Sequence, residues 1–190
     1  MSRPLRRHDC CPEADGGAAL LITSAARARD ARHKPAYIVA STQAFGQGQR
    51  TDLAQFDRPD ILELPEMAVV RREIERQIAS PLDSVDAAMI YDHFTPLVFL
   101  QLEQLGFCAP GEASAFIAEG QIALGGSLPI NTHGGHFGEG YLHGMNGLLE
   151  GVRQLRGTAV NAVSDARSIL MVSAAGTPSS AVVISSDPRT

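Results

Sequence analysis

The sequence predicts a layered α/β fold: a mixed, mostly parallel sheet of five strands with helices on both faces. Three features predict it. Short apolar runs alternate with helical segments from residue 35 to the end, the pattern of successive strand–helix–strand units. Met67, Val70, Ile74 and Ile78 recur at helical spacing, with Arg71, Arg72, Glu73, Glu75 and Arg76 on the other side, as in a helix lying on a sheet. Two closing apolar runs, 168–173 and 180–185, are separated by a short link containing Gly176 and Pro178, which suits an antiparallel hairpin.

In chain order, residues 18–24 (AALLITS) read as a buried strand and 25–32 as an Ala/Arg-rich helix. These two elements precede the alternation and read as the end of an earlier unit, so the expected division is 1–33 and 34–190. Pro35 opens the next strand, PAYIVAS. Residues 44–60 are polar, glycine-bearing and without period, which predicts an excursion over the surface.

A helix follows over 64–79, ended by Pro81, and then a strand over 85–91 (VDAAMIY). Thr95 and Pro96 supply a cap and a proline at the first helical position for a helix reaching Leu105 and stopping at Gly106. Residues 109–123 show little period. Residues 128–130 form a short apolar strand, which passes through a glycine- and histidine-rich loop into a helix ending near Gly157. The order from residue 35 is therefore βαβαβαββ.

Composition narrows the function classes. Apolar content of 44% and charged content of 19% describe a globular chain, and a net charge of -5 gives no basic footprint for nucleic acid. No apolar run approaches the roughly 18 residues of a membrane helix, and the basic start is not followed by the apolar core of a secretion signal, so a cytoplasmic protein is expected. Cys10, Cys11 and Cys108 form no CxxC pair and read as reduced packing residues away from any strand-end site.

Ligand sites in such sheets gather beyond the carboxyl ends of the strands. Two polar clusters follow directly on expected strands: Tyr91-Asp92-His93-Phe94, and the loop carrying His133, His136, Tyr141 and His143 among its glycines. Glycines between a strand and a helix are often plain turn chemistry. The loop lacks the Gly-Lys-Ser/Thr ending of a phosphate cradle, and the dinucleotide spacing also fails. His133, His136 and Glu139 on a glycine loop offer no fixed scaffold, so no metal is expected.

The order of elements, with DCCPEADGGAALLITS, YDHFTPLVFLQLEQLGF, LPINTHGGHFGEGYLHGMNGLLEGVRQLRG and SILMVSAAGTPSSAVVI, resembles the thiolase superfamily in its lipid-transfer or sterol-carrier branch. The resemblance covers nearly the whole chain but only the C-terminal half of a thiolase. It implies a duplicated fold, strand order 3-2-1-4-5 in each half, and coenzyme A thioester substrates with no covalently bound cofactor. It also implies that residues 1–33 are the tail of an N-terminal half, and that the complete protein is a homo-oligomer.

The chain departs from the thiolase pattern at all three of its motifs. Tyr91 stands where the branch carries His or Asn, Tyr141 where it carries the catalytic histidine, and Ser173 where it carries the second cysteine; His93 also replaces a cysteine. The tyrosines look like those of an aldolase offshoot that cleaves 17-hydroxy steroid side-chain thioesters alongside a partner with an OB-fold and a zinc-ribbon-like segment. The resemblance thus implies a retro-aldol lyase. The alternatives are an acetyl-CoA acetyltransferase-type subunit and a non-catalytic lipid or acyl-CoA binding module or inactive half. Tyr91 and Tyr141 are the expected acid/base pair, with His93 and His143 orienting them or holding the enolate. Lowering a tyrosine from about 10 to about 7 takes roughly 4 kcal/mol, which a neighbouring imidazolium or fixed donors must supply, with His93 or His143 the expected source. Ser173 has no base beside it and is expected to be inert.

Overall fold

The computed structural model describes residues 3–46, 60, 62–173 and 178–189. Most of the excursion expected over 44–60 lies outside the described residues, as does the hairpin tip 174–177.

One mixed sheet carries the fold. Its strands are β1 (Tyr37–Ala44), β2 (Ala87–Met89), β3 (Ser168–Ser173) and β4 (Ser179–Ser185), in spatial order β1-β4-β3-β2. The strand expected at 128–130 is reduced to a parallel bridge between Ile130 and Ala88 on the outer side of β2. Pro129 explains the reduction: its carbonyl accepts from Ala88 N at 3.0 Å, but it has no N–H with which to extend a ladder. With the bridge counted as the third strand, the order in chain number is 3-2-4-5-1, not the 3-2-1-4-5 expected. β1 lies at the sheet edge against β4, which runs antiparallel to both of its neighbours, while β2 and β3 are parallel.

Helices cover both faces. α2 (Pro65–Glu75) starts with a proline in its first turn and buries Met67, Val70 and Ile74, three of the four positions its period predicts; the fourth, Ile78, packs against the same cluster just beyond the helix. α3 (Thr95–Gln104) lies on that face too, placing Leu102 in the core, and Leu105 follows it there. Its N-cap is Phe94 rather than Thr95, whose hydroxyl is turned away to donate to Asp9 Oδ1 at 2.7 Å. α4 (Ala113–Ala118) is a short helix within the stretch that showed little period.

α5 (Gly135–Gly138) is a single turn inside the glycine loop, and on the opposite face α6 (Met145–Arg156) lies over β2 and β3. α6 can sit close because Gly147 and Gly151 face the sheet: a β-carbon at 147 would stand 3.0 Å from Met89 Cβ, and one at 151 would stand 2.9 Å from Met171 Sδ. Gly157, in the left-handed region at φ 68°, ends α6 by donating to carbonyls of its last turn.

Residues 18–24 pair with no strand, and Leu21 is 95% exposed. An apolar run becomes a strand only when an edge offers it a ladder, and among the described residues no edge pairs with it. The helix expected over 25–32 is one turn, α1 (Ala25–Ala28), capped by the Ser24 side chain. Among the described residues no helix is long and apolar enough to cross a membrane.

Candidate active site

The carboxyl ends of β2 and β3 meet the glycine loop at one edge of the sheet, and side chains with no place in a dry core converge there. Asn131, at φ 46°, starts the loop: its N–H donates to Ala88 O at 3.1 Å and its Oδ1 accepts from Ile90 N at 2.8 Å. Tyr91 follows directly. The buried amide of Gln101 on α3 fixes its backbone from both sides, accepting from Tyr91 N at 3.2 Å and donating to Tyr91 O at 2.8 Å. Asn146, in the first turn of α6, donates to Gly140 O at 3.0 Å and so holds the backbone next to Tyr141.

These restraints bring the two phenol groups together. Tyr91 Oη and Tyr141 Oη are 2.7 Å apart, so one donates to the other, and His143 Nδ1 stands 3.4 Å from both. The His93 ring lies 4.7 Å from the Tyr91 ring. All four side chains singled out in the sequence therefore share one site. His143 is held at φ 51°, with its carbonyl accepting from Ser173 Oγ at 2.8 Å, which gives Ser173 a tethering contact. Beside His143 opens a recess of about 170 Å³ walled by Met145, Leu148, Met171 and Val182. A larger hollow of about 640 Å³ lies at the other ends of the strands, near Asp86 and residues 124–127, and touches none of these groups.

The sequence reading missed the pair beneath the tyrosines. His136 is 3% exposed; its Nδ1 faces Asp92 Oδ1, and the same carboxylate oxygen accepts from His136 N at 2.9 Å. Gly135 is required here, because at φ 65° it lies so close to Asp92 that a β-carbon would strike the carboxylate. The His136 ring packs 4.6 Å from that of Tyr91 and 5.1 Å from that of Tyr141. Asp92 beside Tyr91, and one histidine too many in a glycine loop, were the available signals. Gln101 was equally legible as an amide in an otherwise apolar helical run.

Several buried polar atoms around the tyrosines have no hydrogen-bond partner among the described residues: His93 Nδ1, His133 Nδ1, His136 Nε2 and Asn146 Oδ1. Buried polar groups are ordinarily paired, so partners from beyond these residues, whether water, ligand or protein, are left to complete this cluster. His133 Nε2 stands 3.9 Å from Glu139 and His136 Nδ1 faces Asp92, and among the described residues no three His, Cys, Asp or Glu side chains group as metal ligands.

Burial bears on the charge of two of these groups. Burial, then the hydrogen bond with Tyr141, pushes the Tyr91 phenol far above its ordinary value, so Tyr91 keeps its proton. Burial also pushes the His93 imidazole down to about 4, with His136 adding to the effect. A neutral His93 cannot be the imidazolium expected to lower a tyrosine. Cys108 packs against the core as expected, but Cys10 and Cys11 do not lie away from the site: Cys11 N donates to His93 O at 3.0 Å, and burial, with the charges of Cys10 and Asp92, raises the Cys11 thiol. Cys10 pairs with Phe94 in an isolated antiparallel bridge, and Gly16 is pressed against Leu142. Residues 9–16 thus run across both site loops as a strap.

Comparisons with known proteins agree with this architecture. Residues 56–185 match the family described as thiolase C-terminal domain-like. The chain is 49% identical over 184 residues to a 17-hydroxy-3-oxo-4-pregnene-20-carboxyl-CoA lyase of Mycobacterium tuberculosis, covering 97% of this chain and 47% of that protein. It is 47% identical to a steroid side-chain-cleaving aldolase of Thermomonospora curvata, with the same 97% and 47% coverage. A solved structure titled Ltp2-ChsH2(DUF35) aldolase superposes with a TM-score of 0.94 at 45% identity, over 100% of this chain and 49% of that one. The chain spans about half the length of the curated relatives it matches.

Proposed function

This chain belongs to the thiolase C-terminal domain-like family, and from that premise we propose that it contributes the acid–base half of an active site for retro-aldol cleavage of a β-hydroxyacyl-CoA. The substrate class is the 17-hydroxy steroid side-chain thioester, split into a ketone and a shorter acyl-CoA. The observation that carries the reading is the 2.7 Å contact between the Tyr91 and Tyr141 hydroxyls. It lies where thiolases, by the resemblance, hold the bases for Claisen chemistry. Tyr91, which keeps its proton, enters as a donor. The tyrosine pair protonates the α-carbon as the enolate collapses, and His93 and His143 line the space for the thioester and hydroxyl oxygens. The orphaned His93 Nδ1 and Asn146 Oδ1 are polar positions that a substrate can fill. Coenzyme A arrives as part of the substrate.

The working assembly in this reading is the chain with a thiolase N-terminal half, of which residues 1–33 are the tail, in a homo-oligomer. A partner bearing an OB-fold and a zinc-ribbon-like segment completes it, in the cytoplasm. The similarity to a structure titled as a two-component aldolase, and the half-length coverage, support that composition. The test is incubation of this assembly with a 17-hydroxy steroid thioester in the absence of free coenzyme A. Release of ketone and acyl-CoA in equal amounts is the expected result. A product that forms only when free coenzyme A is added is thiolysis and overturns the reading.

A further inference from the structure

From the path of residues 9–16 across the site we infer that Asp9 is a positioning residue for the cleavage reaction, fastening a strap that sets the two tyrosine-bearing loops against each other. This inference rests on the retro-aldol reading. The strap meets the first loop residue by residue. Asp9 Oδ1 accepts from Thr95 Oγ1 at 2.7 Å, Cys10 pairs with Phe94 in an antiparallel bridge, and Cys11 N donates to His93 O at 3.0 Å. Successive strap residues thus face successive loop residues in antiparallel register, up to the edge of the Tyr91 position. The strap then runs in step with the second loop. A β-carbon at Gly140 would stand 3.6 Å from that of Ala14, and one at Gly16 would stand 2.7 Å from Leu142 Cδ2, so the strap touches the residues on either side of Tyr141.

Asp9 is the side chain that anchors this path. Its Oδ2 accepts from Arg6 N at 2.6 Å, which fixes the carboxylate while Oδ1 holds Thr95, and a hydrogen bond to an ionised acceptor is stronger than a neutral one. Thr95 opens α3, so the same bond ties the strap to the helix whose Gln101 clamps the Tyr91 backbone from within. The Tyr91 loop is therefore held from both sides, by Gln101 on the core side and by the strap on the outer side. Its contact with the glycine loop through Asp92 and His136 N fixes one end of the pair, and the strap is a second, separate tie between the two loops. Chemistry shared between two hydroxyls depends on that spacing, since a displacement of about 1 Å can cost about 10²-fold in rate. Asp9 touches no substrate atom; it acts through the loops it fastens.

The test uses the assembled enzyme and the 17-hydroxy steroid thioester. Thr95→Val removes the hydroxyl at nearly constant shape, and Asp9→Ala removes its acceptor. Each is expected to lower kcat by about tenfold or more with little change in KM. The double variant should fall little further than either single one, because the same bond is lost in all three. Thr95→Ser keeps the hydroxyl and should restore kcat. Amide hydrogen exchange at Cys11 should quicken in Thr95→Val and stay at the parental rate in Thr95→Ser. If the variants fail to fold, exchange in the unsubstituted assembly decides: a protected Cys11 N–H supports the fastened strap, and exchange at the rate of an open chain overturns it. Parental kcat in both single variants, with a lowered denaturation midpoint alone, makes the strap a purely structural contact and overturns the role of Asp9 while the retro-aldol reading stands. Losses that multiply in the double variant overturn it as well. Absence of cleavage by the unsubstituted assembly overturns the retro-aldol reading itself, and this role with it.

Discussion

The two faces of the sheet are built on opposite terms. Under α2 and α3 the core is dry and aliphatic: Met67, Val70, Ile74, Leu102, Leu105 and Leu170 are all but fully buried, and apolar contact holds them. Under α6 the apolar cluster is smaller, and polar side chains are buried with it. Thr132 donates to Glu150 at 2.6 Å, Gln154 donates to Thr132 Oγ1 and Glu150 Oε1 at 2.9 Å each, and Asn161 Nδ2 donates to Thr132 O at 2.7 Å. That network is closed. At the carboxyl edge, where the glycine loop leads into α6, four buried polar atoms are left open instead. The difference teaches that the dry face closes on itself, while α6 and its loops hold polar groups whose bonds the described residues do not complete.

The comparison breaks if substitutions on the two faces have the same consequences. The largest stability effect is expected from Leu102→Ala on the dry face, about 3 kcal/mol read from urea denaturation, with the pH dependence of cleavage unchanged. Gln101→Met is a sharper case, because Gln101 lies in the dry layer yet holds Tyr91. It should cost about 2 kcal/mol by stranding the Tyr91 N–H and C=O, and lower kcat about tenfold, whereas a purely structural role predicts the first effect only. The last effect is confined to acid pH. His93 and His133 are both pushed down by burial, so the unfolded chain takes up protons first as pH falls. Stability from His93 is fully present above about 6.5 and drains away as pH drops from there to about 4. A His93→Gln variant should show a flatter decline of denaturation midpoint over that window.

Much of the dry face was legible in the sequence, since its packing is periodic and local. The spacing of Met67, Val70 and Ile74 located α2, and Gly106 at φ 81° follows the end of α3 as read. The apolar run 18–24 misled because strand formation depends on a free partner edge, which no local pattern reports. Thr95 misled because its hydroxyl had a better partner eighty-six residues away in Asp9. In the site, Tyr91, Tyr141, His93 and His143 were visible as polar groups at strand ends. The pairing of Asp92 with His136 spans forty-four residues and depends on the close approach that Gly135 permits. Nor could composition report that burial keeps the proton on Tyr91 and off His93.

The tyrosine pair is tested most directly by a double-mutant cycle in the assembled enzyme, with cleavage of the 17-hydroxy steroid thioester measured for Tyr91→Phe, Tyr141→Phe and the double variant. Groups that act as one unit lose nearly everything with the first removal. Each single variant should fall by about 10²-fold or more, and the double variant should fall little further. Full activity in both single variants, or losses that simply multiply in the double variant, would contradict a shared role for the two hydroxyls.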